Sequence, residues 1–180
     1  MMQTVKIPKD RVGVLIGKEG ETKYQIEKAS GTRMRIDSEE GEVFIDHSRA
    51  EDPSMALSVV DVVTAVGRGF SAAKAIELLD DDIYLSVLDI RDYVGKKLTH
   101  IARMRARVIG SKGRTRMLIE ELTGAYVSVQ GNTVAVIGDT LQIDIVTRAL
   151  DMLLSGSEHS AVYKYLEGNR GKLKVDGMGF

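Results

Sequence analysis

The chain has 180 residues, of which 43% are apolar and 28% charged, with a formal net charge of −1. That size suits one large domain or two small ones, in the composition range of ordinary foldable proteins. Cysteine is absent, which excludes disulfides, thiolate zinc sites and cysteine nucleophiles. No apolar run approaches the ~20 residues that span a bilayer. Met1 to Lys6 carries no apolar signal core, so the expected compartment is the cytoplasm.

The first predicted element is a strand at Thr4 to Ile7, where apolar and polar residues alternate. A helix over Pro8 to Leu15 follows, then the loop Gly17-Lys18-Glu19-Gly20, then a helix from Glu21 to Ser30 that Gly31 terminates. Two strands, Arg33 to Asp37 and Glu42 to Asp46, are joined by Ser38-Glu39-Glu40-Gly41. Asp52-Pro53 predicts a helix start, with Asp as cap and Pro at the first helical position, and Gly67 a stop. Residues 70–82 read as a connector with a short helix, Ala72 to Leu79.

The pattern then starts again. A strand is predicted at Ile83 to Leu88, and a helix carrying Leu98, Ile101, Val108 and Ile109. The loop Gly110-Ser111-Lys112-Gly113 leads into a helix with Met117, Leu118, Ile119 and Leu122, ended by Gly124. Strands at Ala125 to Val129 and Thr133 to Ile137 flank Gln130-Gly131-Asn132. A helix starts after Gly138-Asp139 and stops near Ser155-Gly156. A last helix passes through Ala161, Val162, Tyr165 and Leu166. From Gly168 to Phe180 the chain is glycine-rich and expected to be mobile unless bound.

The two halves are copies. Ile16 to Gly31 aligns with Ile109 to Gly124 at an offset of 93, with seven identities in sixteen positions. The identities include the Ile, both loop glycines, the Thr, a second Ile, the Glu and the closing Gly. Each copy reads β-α-α-β-β-α. The expected class is α+β, with a three-stranded sheet and helices on one face in each copy. The expected division is a first domain at 1–69, a connector at 70–82, a second domain at 83–156, and a C-terminal helix and tail at 157–180.

A Gly-x-x-Gly between two helices lets a ligand approach the backbone, and it presents a helix N-terminus that favours anions. Lys18 and Lys112 stand at the loop centres. From Arg91 to Arg116 there are nine arginines or lysines and one acid, Asp92, in a chain whose total charge is −1. His100, Arg103 and Arg107 share a helical face leading to the Gly110 loop, the footprint of a nucleic-acid groove. Copy one is less basic: from Met1 to Arg35, four acids offset eight cations, and Glu19 and Glu21 lie in or beside the loop. Copy two is therefore expected to bind phosphate backbone more tightly.

Ile-Gly-x-x-Gly with the following Thr, Ile and Gly, in β-α-α-β-β-α order, resembles a KH domain, a module whose loop clamps four backbone nucleotides. Its presence twice in a minimal chain resembles the small-subunit ribosome assembly factors of the Dim/partner-of-Nob and Krr type. The resemblance implies binding of single-stranded RNA, namely precursor small-subunit rRNA near its 3′ end, for presentation to a processing nuclease. It implies as partners a Nob-type endonuclease and the alpha subunit of translation initiation factor two. The predicted contacts in copy one are Gly17, Lys18, Glu19, Gly20, Lys23, Arg33 and Arg35. In copy two they are His100, Arg103, Arg107, Gly110, Ser111, Lys112, Gly113, Arg114 and Arg116, with Tyr126 and Ser128 on the second strand. Loops are expected to hold backbone, and the edge of each second strand to read bases. The alternative is a protein-docking scaffold in which one copy, that of Glu19 and Glu21, binds a protein partner.

Other chemistries fit poorly. Gly13 to Glu19 superficially resembles a phosphate-binding P-loop, but its glycine spacing is one residue short and Glu19 stands where Ser or Thr belongs. His47, His100 and His159 are scattered without ligand spacing. Asp80-Asp81-Asp82 reads as a solvated loop, and nothing resembles a Ser-His-Asp arrangement. Neither catalysis, nor a metal or cofactor, nor a membrane partner is expected.

Overall fold

Alternating residues at the N-terminus form β1 (Met2–Lys6) in a computed structural model that describes residues 2–177. Helix α1 (Lys9–Ile16) buries Val12 and Leu15, and α2 (Glu21–Ser30) buries Ile26. Strands β2 (Arg33–Asp37) and β3 (Glu42–Asp46) complete an antiparallel sheet of order β1-β3-β2. Met34 opposes Ile45 and Ile36 opposes Val43 in register, so the helix-facing side of the sheet is apolar. Helix α3 (Met55–Gly67) is rich in valine and contributes fully buried Val59, Val62 and Val63.

The second set repeats this plan with β4 (Tyr84–Asp89), α5 (Arg91–Val94), α6 (Leu98–Ile109), α7 (Arg114–Thr123), β5 (Tyr126–Gln130), β6 (Thr133–Gly138) and α8 (Thr140–Leu154). The short α4 (Ala72–Ile76) precedes it, and α9 (His159–Gly177) follows. The second sheet has order β4-β6-β5. Its core joins Val134 and Val136 to Val108, Ile119, Ile145 and Leu150. Asp139 caps α8 in a capping box with Gln142, which satisfies two otherwise orphaned donors. Gly31 and Gly124 adopt the left-handed conformation at φ 71° and 78°, as helix-ending glycines do. The α+β class and the paired three-stranded sheets agree with the sequence reading.

Four local expectations need correction. Asp52 does not cap α3; its carboxylate accepts from Ser54 N and Oγ, and the helix opens at Met55. Leu98, expected on an apolar face, is 81% exposed at the first position of α6. Helix α5, one turn after β4, was not anticipated because four residues leave no periodicity to detect. The segment expected to be mobile from Gly168 continues α9 as far as Gly177. Val162 and Leu166 are fully buried in the second core, and Leu173 packs against it. Their spacing along one helical face outweighs the ~1 kcal/mol that each internal glycine costs a helix. Residues 178–180 of that expectation lie outside the described residues.

Chain contacts divide the protein between residues 83 and 84. Residues 70–82 therefore fall within the first unit: Phe70, Ala75 and Leu78 are buried, and α4 packs on α3.

Candidate nucleic-acid interface

The two glycine loops have the same backbone. Gly17 and Gly110 both sit at φ 76°, with ψ 176° and 171°, a region essentially reserved for glycine. Glu19 and Lys112 both take φ 55°, the non-glycine residues with positive φ among the described residues. Gly20 and Gly113 are left-handed at φ 77° and 76°. The residues at the starts of α2 and α7 are glycines and make no side-chain cap, and helix starts favour anions.

Within each pair the glycines serve different ends. A Cβ on Gly17 would lie 2.7 Å from Thr22 Cβ, and one on Gly110 2.7 Å from Thr115 Cβ. The repeated Thr thus packs against the first glycine. A Cβ on Gly20 or Gly113 would meet nothing within 4 Å. Close approach of a ligand is therefore the business of the second glycine, whereas the first answers to the fold.

The repeated Glu is structural as well. Glu27 Oε2 accepts from Met34 N at 2.9 Å, and Glu120 Oε2 from Val127 N at 3.0 Å. Each ties its helix to the edge strand. Arg116 pairs with Glu120 at 2.8 Å on that side.

Equal backbones carry unequal charge. At matched positions Glu19 and Glu21 are replaced by Lys112 and Arg114. Glu19, Glu21, Lys112 and Arg114 are all exposed. Lys18 and Ser111 are exposed too, and Lys23 is half-buried. A phosphate at the second loop meets cations where the first loop offers carboxylates.

The cationic stripe on α6 divides. Arg103 is exposed and lines a cleft of about 460 Å³ with Gly110, Ser111 and Arg114. His100 is half-buried and lies a full turn from that cleft. Arg107, expected to contact RNA, lines the same cleft and also bridges to two carbonyls: its Nε donates to Leu153 O at 3.0 Å and its Nη2 to Ser157 O. It ties α6 to the end of α8. Arg11 does the same in the first unit, donating to Val66 O and Phe70 O, both at 2.8 Å. In both units the bridged carbonyls are four residues apart at a helix end, where cations are favourable.

Met34 and Val127 point into the helix-covered cores, and the strand residues expected to contact RNA alternate with them along β2 and β5. Arg33 borders a cleft with Tyr24, Glu27 and Lys28 of α2. The Arg35 guanidinium lies 4.2 Å over the Phe44 ring. Both strands are outermost in their sheets, with Met34 N and Val127 N on them bonded to Glu27 and Glu120.

Several neighbours escaped the sequence reading. In the first unit, Tyr24, 62% exposed, lines a cleft of about 380 Å³ with Lys28, Arg33 and Arg49. An exposed aromatic beside cations on α2 was the available signal. In the second unit, His159 and Tyr163 from α9 line the Arg103 cleft. Tyr163 OH is 2.9 Å from Thr115 Oγ1 and His159 Nε2 is 2.9 Å from Arg107 O. No local signal could have found them, because the contacts span 48 and 52 residues. Among the described residues no group of three His, Cys, Asp or Glu is placed to hold a metal, and no helix is long and apolar enough to cross a membrane.

Comparison with known proteins agrees with this geometry. A KH domain model matches residues 2–81, and a eukaryotic-type (type I) KH model of the second PNO1 domain matches residues 84–171. The KH domain-containing protein MJ0443 of Methanocaldococcus jannaschii is 44% identical over 173 residues, which are 96% of this chain and 76% of that protein. The crystal structure of Dim2p from Pyrococcus horikoshii is similar with TM-score 0.84 and 48% identity, covering 93% of this chain and 98% of that one. A Pyrococcus horikoshii structure of a complex of a/eIF2alpha, aDim2p and rRNA is similar with TM-score 0.88 and 47% identity, covering 96% of each chain. A protein of unknown function from Aeropyrum pernix is similar with TM-score 0.90 and 34% identity, covering 99% of this chain and 95% of that one.

Proposed function

The chain belongs to the KH-domain family, and on that premise we propose that it binds single-stranded RNA, chiefly through the groove of its second unit. The observation that carries this reading is the pairing of an open Gly113 with Lys112 and Arg114, on a backbone whose first-unit twin carries Glu19 and Glu21. The loop takes sugar-phosphate, the uncapped start of α7 adds its dipole, and the outer edge of β5 reads bases. Ser111 and Arg116 border the path.

The RNA is small-subunit rRNA in precursor form, held near its 3′ end as a strand presented to a Nob-type endonuclease. The relative crystallised with rRNA supports the rRNA part of this reading. The protein holds and presents RNA and does not cut it. Crosslinking in cells followed by sequencing of the attached RNA tests the target: reads concentrated at the 3′ end of the small-subunit rRNA are expected, and reads spread over unrelated transcripts overturn it. Gly113→Asp tests the site, because it adds a like charge and a side chain at an open position. A gel-shift affinity equal to wild type would remove the loop from the interface.

The first unit has a second reading, as a protein-docking surface. Glu19 and Glu21 at a phosphate-shaped loop favour it, since carboxylates repel RNA and attract a basic protein. The alpha subunit of translation initiation factor two is the proposed partner, on the strength of the relative's complex. Loss of its capture by a Glu19→Lys, Glu21→Lys protein, with RNA binding kept, is the expected result.

A further inference from the structure

From α9 we infer that the second unit has an additional nucleotide subsite behind its glycine loop, taking one nucleotide of the RNA strand beyond those held in the groove; this rests on the RNA reading above. The cleft of about 460 Å³ is within the ~300–1,000 Å³ usual for small-molecule pockets. One wall is α6, the floor is Gly110 and Thr115, and the far wall is α9. The Thr115–Tyr163 hydroxyl contact at 2.9 Å and the His159 bond to Arg107 O hold α9 in place. They also fix two aromatic rings, whose centroids are 6.1 Å apart and inclined by 60°.

Those rings face a cleft flanked by exposed Arg103 and Arg114. Aromatic faces accept any base, and arginines take the attached phosphate. The Arg107 guanidinium, bonded to two carbonyls, forms part of the wall and keeps its positive charge beside the cleft. Because Gly110 and Ser111 line both this cleft and the loop, a strand leaving the groove passes directly into it. Charge and continuity with the loop site both favour RNA as the occupant.

Fluorescence anisotropy with tetrauridine and hexauridine on the full chain tests this. Wild type is expected to gain about tenfold in affinity from the longer oligomer, the scale of one base stacked on an aromatic ring. Tyr163→Phe keeps the ring and should keep the gain. Tyr163→Ala and Arg103→Ala should lose most of it while binding tetrauridine as wild type does. If Tyr163→Ala lowers the thermal midpoint by undocking α9, the exposed Arg103→Ala decides. No gain in wild type, or a gain intact in Arg103→Ala, overturns the subsite while leaving RNA binding in place. Failure of both oligomers to bind overturns the RNA reading itself.

Discussion

Arg107 Nε donates to the carbonyl oxygen of Leu153 at 3.0 Å, joining the last turn of α6 to the last turn of α8. The same side chain reaches Ser157 O, and the backbone carbonyl of Arg107 meets His159 at 2.9 Å. The residue expected to contact RNA thus also braces the C-terminal helix.

Arg107→Ala is expected to cost about 3 kcal/mol, because its two hydrogen bonds from a charged donor contribute about 1.5–3 kcal/mol each. Urea unfolding of the full chain checks it. A stability equal to wild type would mean that the brace is dispensable.

Leu166 is fully buried in the second core. Leu166→Ala should destabilise by about 3 kcal/mol through lost burial and a residual cavity. An α9 not held by the core would lose almost nothing, so the denaturation midpoint tests whether this helix is docked.

The glycines of one loop should respond differently to the same change. Gly110→Ala drives a methyl group into Thr115 and into a backbone region closed to alanine, and is expected to cost about 2–3 kcal/mol of stability. Gly113→Ala meets open space and carries only left-handed strain, about 1 kcal/mol. Its larger effect should be on RNA affinity. Thermal melts and gel shifts on both variants read the two axes independently, and equal melting points would contradict the division of roles.

Charge at the loop should appear in the salt dependence. Lys112→Gln is expected to reduce the slope of log affinity against log salt by about 0.7, the value for one phosphate on a single strand. In a Gly113→Asp background, Glu19→Lys with Glu21→Arg should raise RNA affinity, since the first loop has the same backbone dihedrals as the second. Continued weakness there would mean that more than charge separates the two loops.

Much of this was legible in the residues because the controlling physics is local. A glycine at a helix end, Asp139 with Gln142 three residues on, and two strands around Gly131 each act through neighbours in the chain. The repeat added certainty, since Glu27 and Glu120 or Ser30 and Thr123 recur for a reason that proved to be the same bond twice. Ser30 Oγ donates to Ile26 O at 2.6 Å, and Thr123 Oγ1 to Ile119 O at 2.6 Å.

The sequence by itself determined the two-copy plan, the loop backbones and the unequal charge on them, since each follows from residue type and spacing. Only the tertiary structure decided that Arg107 bridges to carbonyls of α8 and the turn after it, that Arg35 lies over Phe44 across the sheet, and that α9 walls the second loop. Those outcomes depend on which side of a sheet the helices cover and on partners some 50 residues away. Neither is encoded in the order of adjacent side chains; both arise when apolar faces are buried together.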